Sequence, residues 1–350
     1  MVNPTLGVFL HAIGGLAAGS FYIPFRKVLK WAWESYWLIQ GVLAWIVAPW
    51  VFAYLTCPHL ITVLRDAPPN AVWTAYLYGA IWGVGGLTFG LSMRYLGMSL
   101  GYAIALGFCA AFGTLVPAIF DGWALELLTT RPGWLLLGGV LLCLVGIAVC
   151  GLAGMRKERE LSEEEKTATI REFSLVKGFA VATFAGIASA FMAYAIAAGK
   201  PIATLAVTHD APTLFENNPS YIVIMAGGFT TNFIWCLILN IRNRTVGDYV
   251  KGGARLLLPN YLFAGLAGVI WYGQFFFFGM GKSRMGQYDF SSWIIHMAFI
   301  IVFSNLWAIR FREWHRTSAR TRALVWAGIA LLLLSIISTG YGNHLKSLAG

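Results

Sequence analysis

Charge is what this sequence has least of. Its 25 Lys and Arg and 15 Asp and Glu make up 11% of 350 residues, against 58% hydrophobic and 15% aromatic, whereas a soluble domain carries about 25% charged residues. Too few charges remain to cover a water-facing surface, so soluble enzymes, disordered chains and nucleic-acid binders are excluded in spite of a net charge of +10. Chemical motifs are missing too. There is no Gly-x-x-x-x-Gly-Lys-[Ser/Thr] phosphate loop, no Cys-x-x-Cys, no His-Glu-x-x-His and no Gly-x-Ser-x-Gly elbow. ATP-driven pumping, a zinc site and hydrolysis by an elbow serine lose their support; no metal, cofactor or enzyme activity is expected, and a carrier driven by an ion gradient remains. The five cysteines, Cys57, Cys109, Cys143, Cys150 and Cys236, lack metal-ligand spacing and read as buried free thiols.

What is present is a series of long uncharged runs. Stretches of 20 or more residues without Asp, Glu, Lys or Arg are Met1–Phe25, Ser35–Leu64, Ala67–Met93, Tyr95–Phe120, Pro132–Met155, Gly178–Gly199, Asn217–Ile241, Leu256–Gly281, Phe290–Ile309 and Ala323–Leu345. A helix of about 20 apolar residues crosses a hydrocarbon core, and only a helix satisfies its own backbone there. The pattern predicts an all-α integral membrane protein of ten transmembrane helices, TM1 to TM10. The first run lacks a basic start and a cleavage site, so it reads as a retained span.

Basic residues near span ends stay in the cytoplasm. The odd-numbered connections hold 19 of the 25 Lys and Arg, which predicts that both termini face outward. Residues 156–177, with alternating Arg, Lys and Glu, read as a charged cytoplasmic linker between a first five-helix repeat, 1–155, and a second, 178–350. Because five is odd, the second half enters the membrane in the opposite sense, the arrangement of inverted-repeat transporters. Laying TM8 on TM3 matches Ile81 with Ile270, Trp82 with Trp271, Phe89 with Phe278, Gly90 with Gly279 and Gly97 with Gly286. Small residues at helical spacing, as in residues 79–86, predict closely packed helices.

Ionisable groups inside a membrane are functional hypotheses. Two histidines fall inside spans, His11 in TM1 and His296 in TM9, at similar depth below the outer surface; each could instead bond a neighbouring carbonyl. Asp289, Trp293 and His296 are spaced i, i+4 and i+7 and share one face if TM9 starts a turn before its uncharged run. Gln274 lies among Trp271, Tyr272 and Phe275–Phe278. Aromatic faces with a few fixed amide, imidazole and carboxylate groups suit a sugar, whose C–H faces stack while its hydroxyls bond. A lipid-facing aromatic belt is the plainer reading of Phe276 and Phe278. His and a desolvated carboxylate can change protonation near ambient pH, so Asp289 with His296 is the leading proton-coupling pair. Glu34, at the cytoplasmic entry to TM2, is the inner-side candidate; a carboxylate favouring the positive end of a helix explains it equally.

Several blocks together resemble a known family. Phe21-Tyr22-Ile23-Pro24-Phe25-Arg26-Lys27-Val28 with Lys30-Trp31-Ala32-Trp33-Glu34, Met93 to Ser99, Pro219 to Met225, Trp271-Tyr272-Gly273-Gln274 with Phe275 to Phe277, Gln287-Tyr288-Asp289 and Ser292 to Met297 are similar, in order, to the L-rhamnose–proton symporter family of the drug/metabolite transporter superfamily. The resemblance implies a ten-helix inverted-repeat carrier importing a deoxy-hexose with a proton through the bacterial inner membrane, and it marks His11, Lys27, Glu34, Arg94, Gln274, Asp289 and His296. One departure stands out: where the family has Gly-Asn-x-Asn-Tyr-Gly in TM3, this chain has Gly85-Gly86-Leu87-Thr88-Phe89-Gly90. On this reading Gln274, Asn232, His11, Trp82, Trp271 and Trp293 hold the sugar; sugar, proton and bilayer are the partners, no nucleic acid is among them, and the oligomeric state is left open. An exporter of drugs or metabolites with a more apolar pocket stays open, favoured by that loss in TM3. A membrane-embedded enzyme or sensor is the third reading, against which the sparse external loops argue.

Overall fold

The computed structural model describes residues 2–96, 98–160 and 175–349. Most of the linker, residues 161–174, lies outside the described residues, as does the side chain of Arg94. The described residues are nearly all helical and contain no strand. In chain order the α-helices are α1 (Pro4–Ser20), α2 (Trp33–Gly41), α3 (Ala48–Thr56), α4 (Leu60–Asp66), α5 (Pro69–Leu96), α6 (Met98–Phe120), α7 (Ala124–Thr129), α8 (Arg131–Glu160), α9 (Leu175–Ala198), α10 (Lys200–Thr208), α11 (Asn218–Asn243), α12 (Ala254–Lys282), α13 (Ser292–Arg310) and α14 (Ala319–Ala349).

Nine helical stretches among the described residues are long and apolar enough to cross a bilayer. The expected TM3 is α5, which has the length, 28 residues, but dilutes its apolar residues with Trp, Tyr, Thr and Gly and is not among the nine. Other ends moved for physical reasons. α8 runs to Glu160, five residues into the expected linker, because Arg, Lys and Glu form helix readily once it leaves the membrane. The run Ser35–Leu64 is broken at Cys57, after which α4 forms separately.

Contacts divide the chain into two compact units, each drawing on both sides of the linker. The first comprises Met1–Leu16, Val84–Ala193 and Gly281–Gly350, the second Ala17–Gly83 and Tyr194–Met280.

In the first unit α8 and α14 lie against one another along their length. A Cβ at Gly139 would come within 2.1 Å of Thr339 Oγ1, one at Gly146 within 2.9 Å of Leu332 and one at Gly328 within 2.4 Å of Cys150 Sγ. Ser335 and Ser338 donate to the Gly139 and Leu135 carbonyls at 2.6 and 2.7 Å. Where lipid supplies no hydrophobic drive between helices, close approach and such bonds hold them.

In the second unit α5 and α11 approach just as closely. A Cβ at Gly79 would lie 2.2 Å from the Ile224 carbonyl oxygen and one at Gly227 2.1 Å from that of Tyr76. Between α2 and α3 the chain makes a π-turn, Val42–Val47. Pro49 lacks the N–H that would close an ordinary α-turn on the Trp45 carbonyl. Gly41 completes the turn: a Cβ there would strike the Trp45 ring at 2.8 Å, so only glycine lets that ring fold back. Such turns recur at functional sites.

Candidate functional site

Each unit holds one cluster of candidate side chains. In the first unit the centre is a histidine pair. Gly7, His11 and Gly15 repeat every four residues and so form one stripe of α1. A Cβ at Gly7 would lie 2.7 Å from Met285 Sδ, and one at Gly15 2.4 Å from Phe299 Cβ. The two glycines seat α1 against the end of α12 and against α13, with His11 between them. Gly281 leaves room for its ring, which a Cβ would meet at 2.8 Å. His11 and His296 are both fully buried, with ring centres 6.1 Å apart and planes at 61°.

Asp289 does not share their face. Gly286–Ser291 forms a 3-10 turn kinked at Tyr288 (φ −95°, ψ 36°), and α13 begins only at Ser292. The expected face of Asp289, Trp293 and His296 is thereby broken, and the Asp289 carboxylate bonds instead to Lys282. Trp293 points to α6: its Nε1 donates to the Cys109 carbonyl at 3.1 Å, and its ring fills the gap left by Gly113. The 3-10 turn is tied down beyond Asp289. Asn343 donates to Ser291 Oγ at 2.8 Å, Tyr288 OH donates to Glu126 at 2.6 Å, and Lys346 pairs with the same carboxylate at 2.6 Å. Burial alone would raise the Glu126 carboxyl, yet the bonds from Lys346 and Tyr288 hold it below the ordinary carboxylate value.

The second unit holds an aromatic wall. Trp45 meets Trp271 at 5.5 Å and Trp82 at 6.3 Å between ring centres. Trp82 and Trp271 lie 5.7 Å apart. Phe275 continues the wall at 5.1 Å from Trp271, followed by Tyr221 at 6.1 Å and Tyr272 beyond it. Several buried polar groups beside this wall have no hydrogen-bond partner among the described residues. Gln40 is fully buried, and among the described residues neither of its amide atoms has a hydrogen-bond partner, nor do Trp45 Nε1, Tyr221 OH and Tyr272 OH. Gln274, 6% exposed, makes no hydrogen bond to the described residues. A buried group of this kind costs about 1–3 kcal/mol when it stays unpaired. Amides, an indole N–H and phenols beside stacked rings match the alternating hydroxyls and C–H faces of a sugar.

Asn232 is already engaged, accepting from Trp37 Nε1 at 3.2 Å and donating to the Gly228 carbonyl at 2.9 Å. Glu34 lies in the first turn of α2 and accepts from Asn243 and from Thr245, each at 2.9 Å. Thr88, in the segment that departs from the family pattern, bonds back to the carbonyls of Val84 and Gly85, and a Cβ at Gly86 would meet nothing within 4 Å.

Sequence reasoning missed Trp45, Gln40 and Lys282. The π-turn takes Trp45 off the regular helical face, and only Gly41 four residues before it hints at the fold-back. Lys282 reads as an external loop charge until the turn at 286–291 brings Asp289 to it.

The family profile described as L-rhamnose-proton symport protein (RhaT) matches residues 1–344. The L-rhamnose-proton symporter of Yersinia pestis (strain Pestoides F) is 36% identical over 340 residues, covering 96% of this chain and 97% of the relative. That of Shigella sonnei (strain Ss046) is 35% identical over 341 residues, covering 97% and 98%. Matched along nearly its whole length, the chain belongs to the L-rhamnose-proton symport protein family.

Proposed function

We propose that this protein imports L-rhamnose, or a closely related deoxy-hexose, together with a proton across the bacterial inner membrane by alternating access. The observation that carries the reading is the near full-length match to proteins named L-rhamnose-proton symporters. Export is set aside, since those relatives are named symporters. In this reading α5 is a tenth span, both termini face the periplasm, and residues 1–155 and 178–350 form inverted five-helix repeats that move against each other.

The sugar is held by Trp82, Trp271 and Trp45 with the buried Gln274 and with Gln40, whose amide atoms have no partner among the described residues. Asn232 keeps Trp37 in line behind that wall, and Trp293 anchors α13 beside the histidines. The coupling proton is carried by His296 with His11. Two buried imidazoles this close accept one proton far more readily than two, because like charges repel. Lys282 follows Gly281, whose backbone faces the His11 ring, and Asp289, its bonded partner, offsets its charge. A symport cycle then needs Asp289 to let Lys282 go or hold it as the histidine pair gains or loses its proton. Glu34 is the inner-side carboxylate, engaged with Asn243 and Thr245.

The test is counterflow in proteoliposomes preloaded with unlabelled sugar. L-rhamnose and other deoxy-hexoses should drive entry of labelled L-rhamnose, and amino acids should not. Counterflow with amino acids or cationic drugs but no sugar would overturn the substrate reading.

A further inference from the structure

At the end of the first unit where α8 stops and α13 turns into α14, the chain reverses within residues 311–318. The turn is tight: Arg312 adopts a left-handed conformation (φ 58°), uncommon for a residue with a side chain. A cavity of about 500 Å³ opens here, lined by Lys157, Arg312, His315 and Arg316 beside Glu160 and Glu313. A second cavity, of about 170 Å³, shares Arg312 and His315 with the first and continues over Ile309, Val325 and Trp326. The polar chamber and the apolar groove therefore adjoin.

The acids in the chamber are already committed. Glu160 accepts from the Ser318 amide at 2.6 Å, from Ser318 Oγ at 2.7 Å and from Thr321 Oγ1 at 2.6 Å, and these bonds hold its carboxyl below the ordinary value. Glu313 pairs with Lys157 at 3.8 Å, whose ammonium also lies 4.9 Å from the centre of the Trp314 ring. The Arg312 guanidinium, in contrast, makes no hydrogen bond or ion pair to the described residues. Trp326 is 54% exposed, at the start of an apolar span.

We propose that these adjoining cavities bind an anionic phospholipid, its phosphate on Arg312 and His315 and an acyl chain along Ile309, Val325 and Trp326. Three span ends meet at this point, so it lies at the bilayer surface, where the abundant anion is a lipid phosphate. Arginine's planar fork matches phosphate oxygens, and basic pockets between spans at that surface take lipid headgroups. A basic residue that only sets topology needs neither a cavity nor an apolar continuation. A soluble anion would occupy the polar chamber and leave the groove without a use.

The full chain, purified in detergent, is titrated with phosphatidylglycerol, phosphatidylcholine or inorganic phosphate while its thermal midpoint is followed. A ligand of the folded state raises that midpoint. Phosphatidylglycerol should raise it by about 4 °C, and the other two by much less. Arg312→Gln and Trp326→Ala should each remove at least half of the rise. An equal rise with inorganic phosphate, undiminished in Trp326→Ala, would make this a soluble-anion site and overturn the proposal; so would an equal rise with phosphatidylcholine, no rise at all, or a full rise in both variants. Should Arg312→Gln purify poorly, Arg312→Lys, which keeps the charge and loses the fork, should bind phosphatidylglycerol about tenfold more weakly by native mass spectrometry. Unchanged binding there would count against the site.

Discussion

Gln40 shows what one side chain can reveal that its sequence position does not. In the sequence it is an amide inside an uncharged run, indistinguishable from a packing residue; in the structure it is fully buried and neither polar atom has a partner among the described residues. If its partner is a sugar hydroxyl, Gln40→Leu should act in opposite directions on stability and on function. The sugar-free protein should gain roughly 1 kcal/mol, since an unpaired buried amide is replaced by an apolar group of similar size. The Michaelis constant for L-rhamnose should rise about tenfold, the loss of about 1.4 kcal/mol of binding. Thermal unfolding and initial uptake rates measure the two effects; a variant that loses stability and keeps its affinity would place Gln40 in the packing alone. The histidines, by comparison, were legible from the sequence, because an ionisable group in a span is conspicuous. The partner of Asp289 was not, because a 3-10 turn changes the face on which it lies.

At the scale of elements, most uncharged runs match a long apolar helix to within a few residues, as with Asn217–Ile241 against α11 at Asn218–Asn243, while Ser35–Leu64 overran its helix and α5 is not among the nine. What they could not locate was the packing between spans, which rests on single glycines. Gly86 belongs to the small-residue stretch 79–86 that predicts close packing and Gly15 to no such stretch, yet a Cβ at Gly15 collides with Phe299 while one at Gly86 meets open space. Gly15→Ala should lower the thermal midpoint, overpacking costing about 1–3 kcal/mol, and should impair uptake by displacing His11. Gly86→Ala should leave the midpoint unchanged or raise it, as helix propensity alone favours alanine by up to about 1 kcal/mol. The turn before α13 carries its own pH dependence. Glu126 is held below its ordinary value by Lys346 and Tyr288 against the opposing effect of burial. A carboxylate lowered on folding stabilises the fold above its unfolded pKa of about 4.3 and loses that contribution as pH falls through its lower folded value. Thermal midpoints measured from pH 6 to pH 3 should therefore drop at the acid end, and Glu126→Gln should flatten that drop.

For the whole molecule, the scarcity of charge fixed the class at once, and the distribution of Lys and Arg suggested the halves. The compact units do not follow those halves: each takes segments from both sides of the linker. Linear patterns of charge record which segments leave the bilayer, whereas contacts between helices are set by glycine gaps such as those on α8 and α14 that hydrophobicity does not encode. The candidate groups divide in the same way, with the aromatic wall and its amides in one unit and the histidine pair in the other. Proton-coupled sugar entry is the central claim, and the most direct measurement is the pH of a lightly buffered suspension of right-side-out vesicles containing the protein when L-rhamnose is added. Symport predicts immediate alkalinisation of the medium that is abolished by a protonophore and lost in His296→Ala, while that variant still exchanges sugar in counterflow. L-rhamnose entry without any alkalinisation, or alkalinisation unchanged in His296→Ala, would contradict the account.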